Sequence, residues 1–240
     1  MRGPPPDPHP FRGYSTAMAV KVLSTLALKG VLEKFRAPLE RVAGPLELAF
    51  DATQAILPRV RAGDAGDLLI LTAEAIAELR VEGIVGDTWT LGCSGVSIAV
   101  RAGAARPDIG SVEALESALL AAASVAHSKV GASGIYFSEV LERLGIADRL
   151  KKRIVVEKGP VGLAVARGEA ELGVQQLCEL LPVAGIDIVG PLPGDLQRLT
   201  CFAAGIRANP VDPRAVTALA AWLHTSEARV AMVAGGLEPE

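Results

Sequence analysis

Aromatic side chains are scarce in this chain. Two Trp, two Tyr and five Phe make up 4% of 240 residues, too few for a surface that stacks nucleobases. There is no clustered basic excess either. The 24 Lys and Arg are interspersed with 27 Asp and Glu, for a formal net charge of −3, and this excludes a nucleic-acid groove. No apolar run approaches the roughly 20 residues that span a bilayer, so no membrane insertion is expected. Cysteine is rare, and Cys93, Cys178 and Cys201 are widely spaced. They read as three reduced, mostly buried thiols, with a reactive Cys178 as the weaker alternative. No cluster of His, Cys, Asp or Glu has metal-ligand spacing, and no P-loop, nucleophile elbow or dinucleotide fingerprint stands out. Gly162 to Ala166 and Gly168 do not open a helix after a strand as that fingerprint requires. No metal or cofactor is expected. The Pro-rich segment Met1 to Tyr14 lacks the apolar stretch of a secretory signal. Residues 1–17 read as a disordered extension, with Met18 an alternative start. The expected location is therefore cytoplasmic as the chain is written, and periplasmic if the true N-terminus differs.

What is present is core material. Half of the residues are hydrophobic, and short Val-, Ile- and Leu-rich runs bounded by Gly, Pro and Asp alternate with amphipathic stretches. Strands are expected at 20–24, 46–51, 67–71, 94–101, 124–127, 153–157, 171–175, 186–189 and 199–206. Helices are expected at 26–42, 54–62, 73–81, 111–122, 134–145, 148–152, 159–168, 176–181 and 211–234, the last broken near Ser226. Such alternation implies an α/β fold with a mostly parallel sheet covered on both faces. The segments around 20–90 and 124–175 are analogous, which implies two doubly wound α/β lobes with a ligand cleft between them. Residues 18–92 with 190–240 would form one lobe and 93–189 the other, with 92–101 and 186–206 passing between them.

One device recurs three times: an apolar strand ends in small hydroxyl residues and a helix starts at once. The junctions are Ser24-Thr25, Asp51-Ala52-Thr53, and His127-Ser128-Lys129 leading through Gly131-Ala132-Ser133. A helix N-terminus offers free N–H groups at the positive end of its dipole, so three of them at strand carboxyl ends point to a small-anion site. Thr25, Thr53 and Ser133 read either as plain N-caps or as ligand contacts, and Gly131 and Gly134 would let backbone approach a ligand closely. Ser24, Ser128 and Ala132 belong to the same candidate set. Asp51 reads first as a helix cap and, more sharply, as a general base. His127, closing an apolar strand, reads first as a structural histidine and otherwise as an acid–base group. Lys129 is either a solvated loop residue or a partner for a ligand carboxylate. Of Gln175 and Gln176 one is expected to point into the cleft and the other away, since strand neighbours alternate faces. His224 reads as a surface residue.

These junctions resemble those of type II solute-binding proteins, and in particular the molybdate-binding proteins of ABC transporters. The resemblance covers most of residues 19–238: the hydroxyl pair Ser24-Thr25, the turn Phe50 to Thr53, the strand Gly66 to Leu71, the loop and helix Gly131 to Gly145, and the ending Trp222 to Ala228 with Gly235 to Pro239. It implies a two-lobe protein that closes on an oxyanion such as molybdate. Three features depart from that pattern. Gln175-Gln176 stands where those proteins usually have a Tyr, Asp51 sits in a turn that is usually neutral, and His127 and Lys129 flank the third junction. These changes favour a carboxylate-bearing organic anion held by Lys129, Gln and Ser groups. The missing secretion signal argues against a transporter partner. The chain also resembles the aconitate isomerases, a solute-binding-like branch that moves an allylic proton on an unsaturated tricarboxylate. In that reading Lys129, Ser133 and Thr53 hold carboxylates, and Asp51 or His127 carries the proton. An intracellular sensor that reports ligand occupancy is a third reading, and no segment of the chain identifies its partner.

Overall fold

The computed structural model describes residues 19–64 and 66–238. The expectations for residues 1–17 and Met18 lie outside the described residues. Nine strands form one sheet: β1 (Val20–Ser24), β2 (Leu46–Phe50), β3 (Leu68–Thr72), β4 (Val85–Arg101), β5 (Val125–Ser128), β6 (Arg153–Val156), β7 (Leu172–Gln176), β8 (Ile186–Pro191) and β9 (Leu199–Arg207). The order is β2-β1-β3-β9-β4-β7-β5-β6, with β8 on β4. Ten α-helices cover it: α1 (Lys29–Lys34), α2 (Arg36–Ala43), α3 (Thr53–Arg61), α4 (Ala73–Val81), α5 (Val112–Ala121), α6 (Ala132–Arg143), α7 (Gly162–Ala166), α8 (Leu177–Leu180), α9 (Pro213–Leu223) and α10 (Ser226–Ala234). Among the described residues no helix is long and apolar enough to cross a membrane.

The sheet is less parallel than the alternation of strand and helix implies. β2-β1-β3 and β6-β5-β7 are parallel trios, but β4 and β9 between them pair antiparallel with every neighbour. β4 is also longer than its apolar part. Its polar start, Gly86 to Thr90, has no strand-like alternation, yet the segment from Val85 to Gly95 pairs with β9, and the rest pairs with β7 and β8. One strand therefore belongs to both ends of the sheet.

Period-2 alternation sends side chains to two cores in each half. In the first, Val20, Val22, Leu68 and Ile70 pack under α1, α2, α9 and α10, while Leu23, Leu69 and Leu71 pack under α3 and α4. In the second, Val96, Ile98, Val125 and Val174 join α5 and α6, and Ala126 joins α7. Gly173 is needed on the α7 side, where a Cβ would lie 2.6 Å from Val165 Cγ2.

Three local expectations change. The expected helix 26–42 divides into a 3-10 turn (Leu26–Leu28), α1 and α2, with Phe35 off helical geometry. The break places Pro38 in the first turn of α2, where its missing N–H costs no bond. Residues 148–152 form turns rather than a helix, the stretch being too short to propagate one after Gly145 at φ 65°. Cys93 and Cys201 are joined in a disulfide and are not reduced thiols. The antiparallel register of β4 and β9 sets them directly opposite, although 108 residues separate them in sequence, so their spacing carried no sign of the pairing. Cys178 is a free, buried thiol that burial and the neighbouring Glu179 push well above the ordinary value, which leaves it unreactive.

Candidate functional site

A cleft of about 620 Å³, counting space open to solvent, lies at the carboxyl ends of β1, β2, β5 and β7. All three strand-to-helix junctions meet there, because two parallel trios point their carboxyl ends at one another. Thr25, Asp51, Thr53, Ser128, Ala132, Gln175 and Gln176 line it. Of the candidates read from the sequence, Ser24, His127, Lys129 and Ser133 do not.

The helices that start at this cleft are left open. Ala52 caps α3 and Gly131 caps α6, and neither contributes a side-chain hydrogen bond. The 3-10 turn after Thr25 has no side-chain cap either. Away from the cleft, Ser111, Asp212 and Thr225 cap α5, α9 and α10, while α1, α2 and α4 have no side-chain cap. The hydroxyls behave in the same way. Thr25 Oγ1 and Ser128 Oγ are buried without a partner among the described residues, and so is Ser133 Oγ behind the cleft wall. A buried hydroxyl without a hydrogen bond is costly, and of these three the Thr25 and Ser128 side chains line the cleft. Thr53 is the first residue of α3 rather than its cap, and its hydroxyl accepts from Thr72 N at 3.3 Å.

Close backbone approach shapes the third junction. A Cβ on Gly134 would lie 1.9 Å from the Ser128 carbonyl oxygen, and one on Gly131 would lie 2.6 Å from Ser128 Oγ. The two glycines allow α6 to start directly over the end of β5. Ser24 closes β1 behind the cleft, with its hydroxyl donating to Thr25 O at 2.9 Å.

His127 is sealed away from the cleft. Arg153 Nε donates to its Nε2 at 2.7 Å, which leaves the ring proton on Nδ1, facing Ser128 O at 3.0 Å. Both nitrogens are occupied and the ring packs on Phe137. Burial, then the Arg153 charge, hold its pKa below the ordinary histidine value, so it is a neutral structural residue. Lys129 is exposed and pairs with Glu157 at 3.0 Å. The cation that lines the cleft is Lys158, after β6, whose Nζ lies 3.1 Å from Asp51 Oδ2. Asp51 also accepts from Ala52 N and makes no cap to α3.

Gln175 and Gln176 both line the cleft, contrary to the alternation expected of strand neighbours. The reason is that Gln176 is also the N-cap of α8, so the chain turns there and alternation ends. Gln176 Nε2 donates to Thr200 Oγ1 at 3.0 Å. Gln175 Oε1 accepts from Val161 N at 2.8 Å, which fixes its amide so that Nε2 donates to Glu179.

Glu157, Lys158 and Glu179 are the charged cleft residues that the sequence candidates did not include. Glu179 lines the cleft, half-buried, with Gln175 as its partner. Desolvation pushes its carboxyl up to about 7 against the opposing hydrogen bond from Gln175. The available signal was the spacing Gln175 to Glu179, four residues across a strand end and a short helix. Phe50, Val130, Val156 and Phe202 supply apolar wall. Among the described residues no group of three His, Cys, Asp or Glu side chains is placed to hold a metal. The cleft can therefore hold an anion on backbone and hydroxyl donors beside a carboxyl that exchanges a proton near neutral pH.

The sequence and the fold both have counterparts among known proteins. A family model described as bacterial extracellular solute-binding protein matches residues 24–238. The aconitate isomerase of a Pseudomonas species is 34% identical, over 96% of this chain and 91% of that protein. Among solved structures, the periplasmic molybdate-binding protein of Azotobacter vinelandii superposes with a TM-score of 0.74 at 18% identity, over 92% of this chain and 99% of that one. The substrate-binding domain of a putative molybdenum ABC transporter from Clostridium difficile gives 0.64 at 16% identity, over 92% and 99%.

Proposed function

The chain belongs to the bacterial extracellular solute-binding protein family, and on that premise we propose that its cleft binds an unsaturated polycarboxylate and isomerises it by allylic proton transfer. The observation that carries this reading is the pairing, in one cleft, of open anion-holding donors with two partly buried carboxyl groups, Asp51 and Glu179, beside the exposed Glu157, which pairs with Lys129. A site that only holds a compact oxyanion has no use for two acids, since each repels the ligand. The 34% identical aconitate isomerase supports the choice of reaction. The apolar wall of Phe50, Val156 and Phe202 suits a carbon skeleton.

In this reading Thr25, Thr53, Ser128 and the N–H groups at the starts of α3 and α6 hold carboxylates, and Lys158 turns from Asp51 to the ligand. Asp51 then takes a proton from the methylene carbon. The electron pair moves through the allyl system, and Glu179 gives a proton to the former vinylic carbon. One C–H bond breaks, one forms, and the double bond shifts by one position. The two acids return to their starting states by exchange with water. Residues 18–92 with 190–240 and residues 93–189 act as two lobes that close on the ligand through β4. The Cys93–Cys201 disulfide supports an oxidising compartment as the place of action, against the cytoplasmic location expected from the sequence.

The test is to follow cis- and trans-aconitate by proton NMR with the purified protein. Interconversion is expected, and Asp51→Asn or Glu179→Gln should lower kcat by roughly 10²–10⁴-fold while trans-aconitate still binds. Binding without interconversion in the unaltered protein would overturn the reaction. A second reading, a binding protein for an oxyanion such as molybdate, is favoured by the unpartnered Thr25 and Ser128 hydroxyls and the open starts of α3 and α6. Stabilisation by molybdate alone, without aconitate binding, would select it.

A further inference from the structure

We propose that an anion enters this cleft together with a proton, which Glu179 takes up, so that the protein binds the polyanion as a proton-coupled complex. The inference deepens the reading above by naming how the site is regulated. It rests on that reading only for the position of the anion, not for the isomerisation.

The geometry around Glu179 carries the argument. Its side chain lies at a partition. One flank faces the cleft, with Asp51, Glu157 and Lys158. The other faces a second cavity of about 580 Å³, counting open space, that holds Lys29 and Glu33. The neighbouring Cys178 is an uncharged thiol. Both nearby cations are engaged elsewhere: Lys158 with Asp51, and Lys29 with Glu33. Among the described residues no salt bridge reaches Glu179, and its one hydrogen-bond partner there is the neutral amide of Gln175.

An anion held at Thr25, Ser128 and the starts of α3 and α6 would therefore face an ionised Glu179 with no cation paired to it. Like charge in a desolvated setting favours the neutral acid. Burial already raises the Glu179 carboxyl to about 7, and a polyanion in hydrogen-bond contact with it raises it further, well above the pH of the titration below. The protonated form keeps its local partner and gives up only the charge assistance in that hydrogen bond. Because Gln175 Oε1 is committed to Val161 N–H, its Nε2 still donates to the carboxyl, and the new O–H is free to donate to the anion. The anion thus replaces a repelling carboxylate with a hydrogen-bond donor. The second, independent sign of an anion here is the pair of buried unpartnered hydroxyls, Thr25 at 4% and Ser128 at 7% exposure.

Isothermal titration calorimetry of the full chain tests this, with trans-aconitate titrated at pH 8 to 8.5 in buffers of different ionisation enthalpy. Close to one proton should be taken up per anion bound. Between pH 7.5 and 8.5 Kd should rise about tenfold, since one linked proton changes the constant by a decade per pH unit. Glu179→Gln, a neutral mimic of the acid, should bind with little dependence on pH and no uptake beyond the ligand's own. A flat profile in the unaltered protein, or an unchanged slope in Glu179→Gln, would overturn the inference. If trans-aconitate gives no heat, molybdate is the second probe. Proton-coupled molybdate binding would keep this inference and remove the isomerase reading, and no heat with either anion would remove both.

Discussion

His127 and Glu179 are both driven toward their neutral forms by burial, yet only one can reach a ligand. His127 is enclosed between Arg153, the Ser128 carbonyl and Phe137, while Glu179 faces the cleft. The structural role of His127 has a thermodynamic signature. Its folded pKa lies below the unfolded value near 6.5, so the unfolded chain binds more protons as pH drops. Its contribution to stability is fully present above that value and is lost as pH falls from 6.5 toward the folded pKa, by at most about 1.4 kcal/mol per pH unit. Thermal melts between pH 7.5 and 5 should show this acid-side decline, and His127→Gln should flatten it at the cost of a lower Tm at pH 7.5. An unchanged slope in the variant would remove the assignment. The buried character of His127 was legible from its apolar strand, but Arg153, its partner, comes from a neighbouring strand and was not. The same is true of Lys158. The sequence offered Lys129 at the third junction, and only the packing of the loop after β6 shows that Lys158 is the one turned to the cleft.

At the scale of elements, the junctions follow directly from local chemistry. Small hydroxyl or acidic residues after an apolar run end a strand and start a helix, and α3 and α6 begin within two residues of their expected positions. The consequence of ending β7 at Gln176 was not legible, because alternation holds only while the strand continues. The disulfide was hidden for a different reason. It depends on β4 and β9 being antiparallel neighbours, a pairing between segments 108 residues apart. That span makes it a strong constraint on the unfolded chain. Replacing both Cys93 and Cys201 with Ala should cost about 2–5 kcal/mol and lower Tm by roughly 5–15 °C. Differential scanning calorimetry against a reduced sample of the parent chain checks it, and equal Tm values for the oxidised parent and the double variant would refute a stabilising role.

For the whole molecule, the decisive arrangement is two parallel trios of strands turned toward each other across β4 and β9. The Lys158–Asp51 ion pair spans the cleft between them, and Lys158 is 73% exposed, so water screens it. Lys158→Ala should therefore weaken trans-aconitate binding only about fivefold, or about 1 kcal/mol, as read by calorimetry. In small-angle scattering, trans-aconitate should reduce the radius of gyration of the unaltered chain. A radius that does not change at saturating ligand would refute closure of the two lobes. The chain by itself determined most of its strands and helices and the three strand-to-helix junctions, because hydrophobic period and local backbone preference act over a few neighbouring residues. Tertiary structure alone decided that Glu179 joins Asp51 in the cleft, which lysine faces it, and which cysteines are joined. Desolvation, charge pairing and disulfide formation depend on what comes near in space, and segments distant in the chain supply it.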